Sequence, residues 1–252
     1  MNANDFQILC WNVRGLNSAA RCLAVHETIA ATTCDIVCLQ ETKLELIDNN
    51  LACFLGAFKL NQFAFKPAHG TRGGILLLWN DRVLDLQRID IGRYSITSTV
   101  TVRDTATSFV LTGVYGTSRR VEKENFLRHL RQIKPPSDAK WLLLGDFNLI
   151  YRATDKNNRN LNLRLMRSFR RTLNFCELKE IHLQNRKFTW SNERSSPTLV
   201  RLDRFFCNQG WDMTFDEHAL HALSSSHSDH CPLLLAHMSG PRRPTPFKFE
   251  NF

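Results

Sequence analysis

Residues 141–148 read WLLLGDFN, an apolar run that finishes on Asp146 and Asn148, two positions apart. Side chains alternate across an extended strand, so these two would share one face while Phe147 points back into a core. Gly145 before them allows a bend or the close approach of another backbone. Alone, such a string is an ordinary strand followed by an Asx-type turn. It is not alone. LCWN ends on Asn12, VCLQE on Glu41 and TGVY on Tyr115, while Asp203 interrupts VRLDRFF and Ser228, Asp229 and His230 precede CPLLL. Strands deliver loops to one edge of a sheet, so polar ends spread along the whole chain point to one shared site.

The residue types suit the hydrolysis of a phosphate ester. Glu41 and Asp229 offer hard oxygens of the kind Mg²⁺ or Mn²⁺ takes. His230 works near neutral pH but needs an orienting partner. Asp229 would face the other way in extended chain, which leaves Asp203 as the better partner. Asn12, Tyr115 and Asn148 are neutral hydrogen-bonding groups for non-bridging phosphate oxygens, although a tyrosine at a strand end is often a half-buried core residue. No G-x-S-x-G elbow and no flanked nucleophilic cysteine is present, so water is the expected nucleophile, activated by a carboxylate and a metal. His218, His221, His227, His230 and His237, with Cys231, do not follow a zinc-ligand spacing. G-x-G-x-x-G after a strand and the P-loop motif are both missing.

The elements that must hold these groups are legible from periodicity and turn residues. Strands are expected in FQILCWN, DIVCLQET, GGILLLW, YSITSTVTV, SFVLTGVYG, WLLLG, FTWSN, LVRLDRFFCN and CPLLLAHM. Residues 18–32 suit a helix capped by Asn17 or Ser18, and VEKENFLRHLRQI one stopped by Pro135-Pro136. Residues 161–176 place Leu161, Leu165, Phe169 and Leu173 at helical spacing, with Arg164, Arg167, Arg170 and Arg171 on other faces. Many strands with a few helices predict an α/β or α+β chain, one domain over 1–238 with two sheets rather than one, and a Pro-rich linker tail over 239–252.

Composition narrows the class. The 252 residues, 43% hydrophobic, are enough for a large core, so the eight cysteines read as free thiols of a reducing compartment rather than disulfide staples. No signal-peptide pattern opens the sequence and no apolar run nears the ~18 residues of a membrane span, so no membrane partner is expected. The net charge is +9, and residues 151–204 carry 13 basic side chains against 5 acidic ones. That concentration suggests a polyanionic partner, though a solvated basic face is also compatible with it.

The ordered set WNVRG, LQETK, VYG, GDFN, FTW, RLDRF and SSSHSDH, spanning residue 8 to about 235, resembles the endonuclease/exonuclease/phosphatase (DNase I-like) superfamily. FTWSN and the terminal PRRPTPFKFENF are further similar to the endonuclease domain of plant LINE-type retrotransposons. The resemblance implies a four-layer sandwich of two packed mixed β-sheets flanked by helices. It implies Mg²⁺-dependent nicking of duplex DNA in the nucleus to 3′-hydroxyl and 5′-phosphate ends, which could prime a reverse transcriptase fused to or acting with the chain. Asp146 would align or deprotonate water, Asn12, Tyr115 and Asn148 hold the phosphate, and His230, oriented by Asp203, stabilise the developing charge. Glu41 and Asp229 would hold the metal. Arg14, Thr189, Trp190, Arg201, Arg204 and Ser228 are the expected DNA contacts, with Trp190 also readable as plain core. Many relatives carry an aromatic where Arg204 follows Asp203. An inositol-phosphate or sphingolipid phosphodiesterase, or a silent nucleic-acid-binding domain, are the competing readings.

Overall fold

The structure, a computed structural model, describes residues 6–225 and 227–237. The 239–252 tail therefore lies outside the described residues. The chain runs β1 (Ile8–Asn12), α1 (Ala19–Ala30), β2 (Ile36–Gln40), α2 (Asn49–Leu55), β3 (Gln62–His69) and β4 (Arg72–Trp79). It continues through β5 (Leu84–Ile91), β6 (Ser95–Val102), β7 (Thr107–Tyr115), α3 (Lys123–Gln132), β8 (Trp141–Asp146) and α4 (Leu163–Phe175). The last part holds β9 (Lys179–Glu180), β10 (Trp190–Ser191), β11 (Leu199–Val200), β12 (Asp203–Cys207), α5 (Gln209–Thr214), β13 (His218–Ala222) and β14 (Leu233–His237).

Two six-stranded mixed sheets result, ordered β13-β14-β1-β2-β4-β3 and β5-β6-β7-β8-β12-β9. Strands buried on both faces need continuous apolar runs, and ILCWN, IVCLQ and WLLLGD are buried at every position. Cys10, Cys38 and Leu77 of the first sheet meet Leu111, Leu142, Leu144 and Phe205 of the second in a central core. The outer face of the first sheet packs Leu9, Trp11 and Leu39 under Val25 and Ile29 of α1 and Leu55 of α2. That of the second packs Val114, Trp141, Leu143 and Phe206 under Phe126 and Leu130 of α3 and Phe169 and Leu173 of α4. The layers are helix, sheet, sheet, helix.

Each sheet has one central parallel pair, β1–β2 and β7–β8, and every other pairing named here is antiparallel. A parallel pair needs a crossover, which α1 supplies in one sheet and α3 in the other. Ser18 caps α1 by accepting from the Arg21 N–H. Asn162 caps α4, so the helix starts at Leu163, two residues after the leucine pattern suggested, and Leu161 precedes it; Met166 and Thr172 join Phe169 and Leu173 on the buried face. LVRLDRFFCN divides into β11 and β12 at Arg201 and Leu202. The short α2, α5 and β9 and the strands β3, β5 and β13 lie outside the sequence pattern; β3 is largely half-buried, β5 largely exposed, and both carry mixed polar residues.

Candidate active site

Strand topology alone brings the polar ends together. Parallel β1 and β2 finish side by side at Asn12 and Gln40, with Glu41 next, and parallel β7 and β8 finish side by side at Tyr115 and Asp146. β12 runs antiparallel to β8, so its first residue, Asp203, lies opposite Asp146. β14 runs antiparallel to β1, so the segment just before it, with His230, lies beyond the end of β1. Carboxyl ends of parallel strands are where open α/β sheets build their sites, because the backbone opens there into loops.

Gly145 makes the end of β8 possible. Its φ is +142°, and a Cβ there would stand 2.0 Å from the Val114 carbonyl oxygen. Beyond it Phe147 turns into the aromatic cluster of Phe126, Phe169 and Phe206. Asn148 takes a left-handed φ of +50°, which asparagine tolerates better than most residues. In that turn the Asn148 N–H donates to Asp146 Oδ1 at 2.8 Å and its Nδ2 to Oδ2 at 3.0 Å. Asn12 Nδ2 donates to the same Oδ2 at 2.9 Å and to Glu41 Oε2 at 3.2 Å. Tyr115 donates its hydroxyl to Glu41 Oε2 at 2.9 Å, so one chain of hydrogen bonds links Tyr115, Glu41, Asn12, Asp146 and Asn148.

On the other side of Asp146, His230 Nδ1 lies 2.8 Å from Asp203 Oδ2 and Nε2 lies 4.0 Å from Asp146 Oδ2. The first is a hydrogen bond; the second is too long for one and leaves Nε2 facing the space beside the carboxylate. Burial and the Asp203 carboxylate push the Asp146 carboxyl up to about 7, against the pull of His230. Burial works against the His230 imidazolium, but the charge and hydrogen bond of Asp203 overcome it and hold the group up at about 9. Burial and the Glu41 and Asp146 carboxylates raise Tyr115 strongly, so it stays a donor. Burial would raise the Glu41 carboxyl, yet the Lys43 ammonium, with Tyr115 and Asn12, holds it below its ordinary value.

Carboxylate oxygens without donors test whether a hard cation fits here. Asp203 Oδ1 and Asp229 Oδ1 are buried with no hydrogen-bond partner. Glu41 Oε1 already carries a cation, the Lys43 ammonium at 2.9 Å. Both observations fit a divalent ion on oxygen ligands. Among the described residues, Asp146, Asp203 and His230 bring ligand atoms within 4.8 Å of one another. Asp229 stands outside that group, its Oδ2 accepting from Trp190 Nε1 at 3.0 Å and facing Arg14 at 3.4 Å. No zinc-type set of histidines and cysteines accompanies them among the described residues.

The expected DNA contacts separate. Arg14 is exposed and Trp190 half-buried, while the Ser228 hydroxyl donates to the Asn12 carbonyl at 2.8 Å. Arg204 must be corrected: its side chain is fully buried, paired with Asp155 at 2.6 Å and with Glu180, and cannot reach a ligand. Arg201 is likewise buried against Glu180 at 3.1 Å. Thr189 is 3% exposed and its hydroxyl accepts from the backbone N–H groups of Leu202 and Asp203, so it holds the start of β12 rather than facing outward. Two lysines belong to the site that residue typing passed over. Lys43 shares the LQETK string with Glu41, and Lys123 donates to the Asn148 carbonyl from the first turn of α3. The first had a local signal; the second, 25 residues from its partner, had none.

The endonuclease/exonuclease/phosphatase family model matches residues 9–230, which spans the whole site. The chain belongs to that family. Among curated proteins none matches this sequence. Solved structures do, at low identity. The apurinic endonuclease of Leishmania major has 16% identity and a TM-score of 0.71, over 95% of this chain and 88% of that one. The endonuclease domain of TRAS1, a telomere-specific non-LTR retrotransposon, has 14% identity and a TM-score of 0.67, over 92% and 98%. TDP2 of D. rerio, solved with a single-strand DNA product, has 15% identity and a TM-score of 0.64, over 94% and 100%. These likenesses, at 14–16% identity, show that the two-sheet fold described above is shared by proteins of quite different sequence.

Proposed function

We propose that the chain is a divalent-metal-dependent DNA endonuclease that nicks duplex DNA to 3′-hydroxyl and 5′-phosphate ends. The observation that carries it is the pairing of a buried Asp146, raised toward neutrality, with a His230 held protonated by Asp203 across a 4.0 Å gap. A carboxylate tuned near 7 accepts a proton from water effectively, and Asn12 and Asn148 fix its orientation. His230 Nε2 carries positive charge into the space where a phosphate oxygen would gain negative charge. Tyr115 adds a neutral donor. A Mg²⁺-type ion, held by Glu41 and Asp229, would supply Lewis-acid stabilisation of the leaving oxygen.

The DNA substrate is supported by the +9 charge and by the retrotransposon and apurinic endonucleases among the similar structures. A 3′-hydroxyl product suits priming of a reverse transcriptase, joined to this chain or acting with it in the nucleus. Among the described residues no helix is long and apolar enough to cross a membrane.

Conversion of supercoiled plasmid to nicked circles tests the reading. Nicking is expected with Mg²⁺ and not with EDTA. Asp146→Ala and His230→Ala should each lose at least about 10²-fold in rate. Folded wild-type protein that nicks no plasmid with any divalent ion would overturn it, as would undiminished nicking by both variants.

A further inference from the structure

A groove of about 960 Å³ opens from the Glu41 and Tyr115 side of the site. One wall is the β3–β4 hairpin with Lys66 and Arg72; the other, from the second sheet, is the Arg93-Tyr94 turn and the Gly116–Arg119 loop. Lys43, Lys66, Arg72, Arg93 and Arg119 line it against two carboxylates, Glu41 and Glu122, and these acids already face Lys43 and Arg119 at 2.9 Å each. Arg72, Arg93 and Arg119 are exposed.

Both walls are fastened to the site by backbone. The Lys43 N–H donates to the Gly73 carbonyl at 3.0 Å. Gly74 has a φ of +90°, and a Cβ on it would meet Thr42 Oγ1 at 2.1 Å, so the hairpin lies tight on the loop carrying Glu41. Opposite, the Tyr115 N–H donates to the Tyr94 carbonyl at 3.0 Å and the Gly116 N–H to the Asp146 carbonyl at 2.7 Å. The Arg93 guanidinium lies over the Tyr94 ring at 5.3 Å. Tyr94 itself lines the groove, is only 8% exposed, and its hydroxyl has no hydrogen-bond partner.

A preformed basic channel that ends at a phosphodiester site fits a sugar–phosphate backbone, in which each strand carries one negative charge per ~3.4 Å of duplex axis. We infer that this groove tracks the DNA strand entering the Asp146 site, with Lys66, Arg72, Arg93 and Arg119 as its phosphate contacts. The arginines of α4, where the sequence concentrates charge, lie on the outer helical layer and are secondary. The inference rests on the DNA reading above and adds the path of the strand.

The test compares two charge-matched double variants, Arg72→Ala with Arg93→Ala and Arg167→Ala with Arg171→Ala, all at exposed positions. Binding of a labelled duplex is titrated against salt in EDTA, where cleavage is blocked, and plasmid nicking is measured with Mg²⁺. The groove pair should weaken binding about tenfold or more and flatten the slope of log K against log salt by about 2. The α4 pair should change both much less. Equal loss from both pairs would reduce the effect to net charge and overturn the inference, as would an unchanged slope in the groove pair. Wild-type nicking with an unaffected groove variant sinks the groove alone. Absent nicking with groove-dependent binding sinks the endonuclease reading and leaves the groove standing.

Discussion

At the scale of single residues, the candidate site sets a buried carboxyl, Asp146, beside a histidine, His230, and the charge of Asp203 acts on both. His230 has its folded-state value raised to about 9 from an ordinary 6.5, chiefly by Asp203 overcoming burial. A raised histidine stabilises the fold fully below about pH 6.5 and loses that contribution as pH rises through about 9. In EDTA, imidazole chemical shifts of His230 should therefore report titration near 9. Asp203→Asn should bring it down toward or below the ordinary value; a titration near 6.5 in the wild type would contradict the ion pair. Asp146 is the opposite kind of group, a carboxyl raised to about 7. Its base form predominates above that value and its fraction falls about tenfold per pH unit below it, so nicking should fall in the same way on the acid side of 7. Rates flat down to pH 5 would remove Asp146 as the proton acceptor.

At the scale of elements, what matters is how β8 and β12 are held. Thr189 pins the first residues of β12, and Arg204, one position after Asp203, is locked between Asp155 and Glu180 while donating to the Arg201 carbonyl at 2.8 Å. Removing this fully buried guanidinium strips Asp155 of its charge partner at 2.6 Å, while Glu180 keeps Arg201 at 3.1 Å. Arg204→Ala should cost about 3–5 kcal/mol in denaturant unfolding; a loss below about 1 kcal/mol would show that the acids rearrange. Gly145→Ala, with backbone 2.0 Å from the added carbon and φ at +142°, should also be strongly destabilising and should separate Tyr115 from Asp146. Normal thermal stability in that variant would show that β7 and β8 can part without loss. Phe147, fully buried in the aromatic cluster, anchors the same strand end by about 1.5–3 kcal/mol of burial.

At the scale of the whole molecule, the two sheets each contribute half of the site, Asn12 and Glu41 from one and Tyr115, Asp146 and Asp203 from the other. Their mutual packing through the central core is thus also what positions the candidate groups. A chain of net charge +9 binding a polyanion releases counterions, so at limiting DNA the nicking rate should drop at least about 10²-fold between 50 and 200 mM salt. A salt-insensitive rate would show that binding does not rest on neutralising DNA phosphates.

The sequence by itself determined the central strands, the two longer helices on the second sheet and the two-sheet architecture, because double-sided burial demands apolar runs and amphipathic helices demand a regular stripe. It also carried the polar strand ends, since a carboxylate closing an apolar run is visible locally. Only the tertiary structure decided which arginines face outward. Arg204 reads as one more basic residue in a charged segment, yet it is buried, because its counter-ions Asp155 and Glu180 lie 49 and 24 residues away. Thr189 reads as a surface hydroxyl, yet it serves the backbone at the start of a strand 14 residues later. The groove of Lys66, Arg72, Arg93 and Arg119 draws its walls from opposite sheets, so no window of sequence contains it. Local pattern records what a residue needs from its immediate backbone; which distant charges it meets is set by strand order and register, and those exist only in the folded chain.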